Sequence, residues 1–182
     1  MEKEEMEDIL ILVDEQDNFL GYMGKEEAHF KGVKHRAFSI FVFNDKNELL
    51  LQQRALDKYH TPGLWSNTCC SHPRYGETTI HAVHRRLPEE MGFDTELSHV
   101  HEMSYEIAFD NGVTENEYDH VFIGRYNGKP EINKNEVNDY KWISLENLRL
   151  DMESSREKYT FWFRRIISEF DFIKALETEK TA

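Results

Sequence analysis

A chain of 182 residues has the length of one domain with its own core, and 39% hydrophobic with 13% aromatic residues excludes a disordered chain. The net charge of −13 repels nucleic acid and anionic membranes, so an anionic ligand needs a local basic pocket. No apolar run reaches the ~18 residues of a membrane span, the acidic start MEKEEMED resembles no targeting sequence, and the two adjacent cysteines, Cys69 and Cys70, make no disulfide framework, so a reducing, cytoplasmic compartment is expected.

Residues 8–13 are apolar, Asp17-Asn18 is a turn signal and 19–22 follow as a second extended run, which predicts an N-terminal hairpin. The stretch 25–35 is mostly polar and carries His29 and, at its far end, His35. RAFSIFVF, residues 36–43, is β-branched and aromatic and reads as a strand covered on both faces. A turn at 44–47 returns the chain as a partner strand over 48–53, and 54–65 is a loop holding Arg54, Lys58, Pro62 and Gly63. From Glu77 on, Ile80, Val83, Leu87 and Met91 recur in steps of three and four and predict one helical face. Arg85, Arg86, Glu89 and Glu90 lie off that face, and Gly92 closes the segment. Pro88 is expected to kink or break it, since an interior proline costs ~3 kcal/mol. Residues 97–109 and 115–126 read as strands around Asp110-Asn111-Gly112, and period two sets Glu115 and Glu117 on one face. A short strand follows at 137–143. Ser144 opens a helix with Glu146 in its first turn, and 160–176 predicts another with Trp162, Ile166, Phe170 and Ile173 on one face. Strand hairpins with two or three helices mean α+β or an α/β/α sandwich.

The densest chemistry lies in residues 67–93, NTCCSHPRYGETTIHAVHRRLPEEMGF. On residue types alone, Glu77, Glu89 and Glu90 could meet a hard divalent cation from one helix. The plainer reading, which carries more weight, is a solvated face with the i,i+4 pairs Arg85–Glu89 and Arg86–Glu90. Cys70 alone reads as a small buried hydrophobe, and isolated lysines and arginines as surface charge.

The run from Glu77 to Phe93 resembles the Nudix box, G-x5-E-x7-R-E-U-x-E-E-x-G-U, with Ser71 at the leading glycine and Arg86 where hydrolytic members carry a glutamate for metal and base. NTCCSHP at 67–73, TENE at 114–117 and PGLW at 62–65 closely resemble type I isopentenyl-diphosphate isomerases, a likeness covering roughly residues 8–170. The resemblance implies an α+β, Nudix-like α/β/α sandwich with a mixed β-sheet. It implies one domain over 1–182, with the N-terminal hairpin and His-bearing segment at about 8–35 and the core at about 36–170. It implies interconversion of isopentenyl and dimethylallyl diphosphate in isoprenoid biosynthesis, through a carbocation-like intermediate. The matched positions make Cys70 and Glu117 the proton-moving pair, Tyr105 the hydroxyl that bonds the acid, and Trp162 the indole that faces the cation. They make His29, His35, His72, Glu115 and Glu117 a site for Mn²⁺, Zn²⁺ or Mg²⁺, and Glu90 the carboxylate of a second, diphosphate-associated Mg²⁺. They make Lys25, Arg54, Lys58 and Arg86 the diphosphate contacts, so Arg86 replaces a hydrolytic ligand with a phosphate clamp. The implied partner is a small-molecule substrate, with no flavin, nucleic acid or membrane, and a monomer or weak homodimer is expected. His60, His81, His84, His99, His101 and His120 are left to surface or packing. A Nudix hydrolase of a nucleoside or other diphosphate is the rival, and a non-catalytic Nudix-like binding module is a second; Cys70 and Glu117 oppose both.

Overall fold

Strand β3 (His35–Phe43) is the axis of the sheet. The computed structural model describes residues 9–58 and 60–179; the acidic start, and residue 8 of the predicted apolar run, lie outside the described residues. Strands β1 (Ile9–Val13) and β2 (Phe19–Gly24) make the expected antiparallel hairpin. One edge of β3 runs parallel to β8 (Thr114–Arg125), in register from His35↔Glu117 to Phe43↔Arg125. The other edge meets three strands in turn, all antiparallel. These are β1 at Leu12↔His35, β6 (Cys69–Ser71) from Phe38↔Ser71 to Ile40↔Cys69, and β4 (Glu48–Arg54) at Phe43↔Leu49. The predicted β3–β4 hairpin therefore splays after its turn. β4 leaves to pair with β5 (Trp65–Ser66) and β9 (Val137–Ser144), while β7 (Leu97–Ala108) lies antiparallel to β8. The sheet is mixed, as expected, and the opening between β3 and β4 is where the site forms.

The continuous apolar run of β3 serves two cores. Phe41 and Phe43 pack with Val121, Ile123, Phe163 and Ile166 on one face. Phe38, Ile40 and Val42 pack with Ala82, Val83, Leu87 and Met91 on the other. The helices are α1 (Lys25–Lys31), α2 (Thr79–Met91), α3 (Leu145–Ser154), α4 (Phe161–Glu169) and α5 (Phe172–Glu179). The α3 start is as read, with the Ser144 hydroxyl accepting from Asn147 N at 3.2 Å, an N-cap of ordinary kind.

Five expectations fail. Helix α2 runs through Pro88 to Met91 without the expected break. Proline forgoes the bond to the carbonyl four residues back, but it sits in the last turn, between buried Leu87 and Met91. Gly92 then caps the helix at φ 75° and donates its N–H to the Pro88 carbonyl at 3.0 Å; a side chain at Gly92 would strike the Glu131 carbonyl. Glu77 precedes the N-cap Thr78, so it is outside the helix, and Ile80 is exposed. The helix read over 160–176 is two helices: Phe170 is extended at φ −109°, ψ 133°, and the Asp171 carboxylate restarts the chain by accepting from Lys174 N at 3.1 Å. The restart turns Phe172 and Leu176 into the core and leaves Ile173 exposed.

Candidate active site

Residues 66–71 bridge the splayed strands through side chains. The buried Thr68 hydroxyl accepts from Val42 N of β3 at 2.9 Å and donates to Leu50 O of β4 at 2.7 Å. Asn67 Nδ2 donates to Ile40 O at 3.2 Å and Cys69 O at 2.7 Å. Gln52 Nε2 donates to Thr68 O and to Glu90 Oε2, both at 2.8 Å. A buried polar network this well satisfied fixes its members rigidly. It sets Cys70 opposite Ser39 on β6, with its side chain lining a cavity of about 580 Å³. Burial pushes the Cys70 thiol up to about 12, helped by the negative charges of Glu90, Glu117 and Asp119 and opposed by Arg54. At neutral pH the sulfur keeps its proton.

Glu117 reaches the same cavity from β8, on the opposite edge of β3 from Cys70. The parallel register sets it beside His35, and period two adds Glu115 on its own face. His29 comes from α1 and His72 from the turn after β6. One ligand atom from each of His29, His35, His72, Glu115 and Glu117 lies within 4.8 Å of every other. His72 Nε2 is 2.8 Å and His35 Nε2 3.5 Å from Glu117 Oε1, and His29 Nε2 is 3.2 Å from Glu115 Oε2. His29 and His35 turn their Nδ1 atoms to backbone carbonyls, those of Lys25 at 2.6 Å and Val33 at 2.8 Å. Such outer bonds fix the tautomer and leave Nε2 as the ligand atom. His35 Nε2 is buried with no hydrogen-bond partner among the described residues, and burial pushes His72 down to about 4, which keeps its ring neutral. Burial opposes ionisation of both carboxyls, and Glu115 also opposes that of Glu117. The imidazoles of His29 and His60 beside Glu115, and of His35 and His72 beside Glu117, outweigh this and hold both below the usual range. Three neutral-capable imidazoles and two carboxylates around one point, one lone pair left open, fit a divalent ion.

Lys25, Arg54, Lys58 and Arg86 line the cavity, and so do Glu90, Tyr105 and Trp162. The predicted site residues thus converge, with His29 and His35 behind the two carboxylates. Buried Glu90 accepts from Arg86 at 2.5 Å besides Gln52. Arg86 also donates to Glu89 at 2.8 Å and to Glu136 at 3.2 Å, while Lys58 holds Glu136 at 2.7 Å. Glu77 is forked by Arg85 at 2.7 and 2.8 Å. The expected i,i+4 pairs form, Arg85–Glu89 at 3.2 Å and Arg86–Glu90 at 2.5 Å. Tyr105 donates its hydroxyl to Glu117 Oε2. Trp162 belongs both to the core and to the cavity wall; its Nε1 donates to Ser66 Oγ at 3.0 Å, and the Arg54 guanidinium sits 5.4 Å from its ring.

His60 and Asp119, beside the two carboxylates, escaped the sequence reading. His60, left to surface or packing, places Nε2 2.7 Å from Glu115 Oε1; it stands in an irregular loop, where no periodicity marks it. Asp119 continues the Glu115–Glu117 alternation and accepts from Ser39 Oγ at 2.7 Å. Burial, with the Glu117 charge beside it, raises its carboxyl well above the ordinary range. Extending period two by one step would have found it.

A NUDIX domain matches residues 33–163. The chain is 52% identical over 92% of its length to the isopentenyl-diphosphate Delta-isomerase 2 of Photorhabdus laumondii, covering 94% of that protein. It is 44% identical over 90% of its length to the isopentenyl-diphosphate Delta-isomerase of Serratia proteamaculans, covering 92% of it. The crystal structure of a MutT protein from Methanosarcina mazei superimposes with a TM-score of 0.63 at 22% identity, over 76% of this chain and 93% of that one, a likeness of fold.

Proposed function

The chain belongs to the isopentenyl-diphosphate Delta-isomerase family within the NUDIX fold, and from that premise we propose how its cavity interconverts isopentenyl and dimethylallyl diphosphate. The diphosphate lies on Lys25, Arg54, Lys58 and Arg86. Arg86 brings a planar fork that suits phosphate oxygens, and it exchanges part of its bonding to Glu89 and Glu136 for the substrate. The five-carbon chain then points between Cys70 and Glu117.

One wall gives a proton to the terminal methylene carbon, and the π electrons form the new C–H bond. The tertiary carbon is left cationic. The opposite wall takes a proton from the carbon on the diphosphate side, and that C–H pair becomes the new double bond. One proton enters and one leaves, so the pair ends with the proton count it began with, and the reverse reaction exchanges the roles. At rest the count is met by a protonated thiol and an ionised carboxylate. An alkene is a poor base, so the transfer needs a dry, positioned donor; burial of both groups supplies this. Tyr105 orients Glu117 through its hydroxyl. The Trp162 ring offers the cation a π face, worth about 2 kcal/mol when desolvated, without a nucleophile to trap it.

His29, His35, His72, Glu115 and Glu117 would hold Mn²⁺, Zn²⁺ or Mg²⁺, and Glu90 a Mg²⁺ shared with the diphosphate. Once bound, the ions would supply positive charge that tunes the carboxyl's acidity and neutralises the phosphates. One domain acting as a monomer or weak homodimer in the cytoplasm completes the proposal; the two adjacent free thiols suit a reducing compartment. The observation that carries the reading is the delivery of Cys70 and Glu117 to one cavity from opposite edges of β3. Proton NMR of isopentenyl diphosphate with wild type, Cys70→Ala and Glu117→Gln tests it. Conversion by wild type alone, with both variants folded, is expected; turnover by either variant near the wild-type rate removes that residue from the reaction.

A further inference from the structure

Strand β8 has a second chemical face. Glu115, Glu117 and Asp119 point toward the cavity side, so Tyr118 and His120 point the other way. The facing strand β7 carries a bulge: His99 pairs with Phe122, but His101 pairs with Val121. The extra residue, Val100, breaks the alternation, as bulges do. His101 consequently stacks on Phe170, with ring centres 5.1 Å apart, on one side of the sheet, while His99 lies 5.2 Å from both the Phe122 and the His120 rings on the other. Beyond the bulge Glu102 stands opposite His120. The bulge thus puts His99 and Glu102 on one face, where unbroken pleating would separate them.

The three side chains converge. His99 Nε2 is 3.3 Å from His120 Nδ1, and Glu102 Oε1 is 3.6 Å from each of these nitrogens. Donors about 2.1 Å from a tetrahedral ion stand about 3.4 Å apart, so the triangle has the edges of such a coordination face. Two of the three donors are braced from outside. His120 Nε2 donates to Asp17 Oδ2 at 3.0 Å, and Asp17 is itself held by Arg36 Nε at 2.7 Å. That bond assigns His120 the tautomer whose Nδ1 lone pair faces His99 and Glu102. The other Glu102 oxygen accepts from the Tyr118 hydroxyl at 2.6 Å. A carboxylate behind the imidazole and a hydroxyl behind the carboxylate are the outer arrangement metal ligands use.

We propose that His99, Glu102 and His120 form a further divalent-metal site, on the face of β8 opposite the cavity. Two imidazole nitrogens and one carboxylate oxygen select Zn²⁺, Co²⁺, Ni²⁺ or Cu²⁺ over Mg²⁺ or Ca²⁺. His99 and Glu102 are each about two-fifths exposed, at 41% and 42%, so water completes the coordination and the ion exchanges with solvent. The ion ties β7 to β8 and, through Asp17, to the β1–β2 turn, and it therefore stabilises the native chain in proportion to its occupancy.

The full chain, stripped of metal and saturated with Co²⁺, tests this by equilibrium dialysis and visible absorption. A His99→Ala/Glu102→Gln double variant should bind one equivalent fewer than wild type and lose the absorption of one site. Its isomerase turnover with Mg²⁺ should be unchanged, since neither residue lines the cavity. Zn²⁺ should raise the melting temperature of wild type more than that of the variant. Because both residues are exposed, the variant should fold, and circular dichroism verifies this. Equal stoichiometry in wild type and folded variant, or an equal Zn²⁺ shift in both, overturns the proposal.

Discussion

Replacing Thr68 by valine keeps the side-chain shape and removes one hydroxyl. That hydroxyl is fully buried and makes both bonds across the β3–β4 opening, accepting from Val42 N and donating to Leu50 O. Valine leaves one N–H and one carbonyl stranded in the interior. An unsatisfied buried group costs about 1–3 kcal/mol, so two, partly relieved by relaxation, cost about 2–4 kcal/mol. In a chain of this size 1 kcal/mol moves the melting temperature by about 2–4 °C, which makes the expected fall roughly 4–16 °C. Urea and thermal unfolding followed by circular dichroism measure it. Thr68→Ser is the control: it keeps the hydroxyl, loses a methyl and should cost only about 1 kcal/mol. Because Cys70 is two residues away on the same bridge, Thr68→Val should also lower kcat, by moving the sulfur. A valine variant within about 0.5 kcal/mol of wild type, or a serine variant worse than the valine one, would refute the idea that this hydroxyl sutures the sheet.

Cys70 should resist alkylation. With the thiol at about 12, the thiolate fraction at pH 8 is about 10⁻⁴, roughly a thousandfold below an ordinary thiol; mass spectrometry after iodoacetamide treatment reads this, and rapid labelling at pH 8 contradicts it. Restoring the box glutamate by Arg86→Glu places a fourth carboxyl among Glu89, Glu90 and Glu136 and removes a phosphate donor. KM should rise about 10–100-fold, the equivalent of one charge-assisted bond, with no gain of phosphate release; steady-state kinetics decide. Burial resists ionisation of Glu136, but Lys58 and Arg86 outweigh it and lower its carboxyl. A lowered folded value gives stability that is present above the unfolded value near 4.5 and is lost as pH falls through the folded one. The gap in unfolding free energy between wild type and Glu136→Gln should therefore shrink from pH 6 to pH 3; a gap that widens on acidification has the wrong sign. Chelation should abolish turnover and added Mg²⁺ or Mn²⁺ restore it, while flavin changes nothing; full activity in a chelator would exclude the ions from the chemistry.

Much of this was legible in the residues because strand burial and alternation write themselves into sequence. The run 36–43 announced a doubly covered strand, and the spacing of Glu115 and Glu117 announced a shared face. What escaped depends on contacts between distant segments. The bridge at 66–71 is held by hydroxyl and amide bonds to both flanking strands, which no propensity encodes. Pro88 is tolerated because Leu87 and Met91 are buried around it. His60 reaches Glu115 from an irregular loop. The Asp171 restart left a capping residue in plain view, but the apolar spacing around it read as one helix. The bulge at Val100 has no sequence mark, although it decides which of His99 and His101 faces His120. The metal-ligand candidates matched by resemblance meet because β3 and its neighbours bring together what the chain keeps up to 88 residues apart, His29 and Glu117.

Isopentenyl diphosphate incubated with the Mg²⁺-loaded protein in deuterated water, followed by proton and deuterium NMR, tests proton transfer between two walls most directly. Expected is dimethylallyl diphosphate carrying solvent deuterium in a methyl group, formed by wild type and by neither Cys70→Ala nor Glu117→Gln. Release of phosphate in place of the isomer, or isomer formed without solvent deuterium, would contradict it.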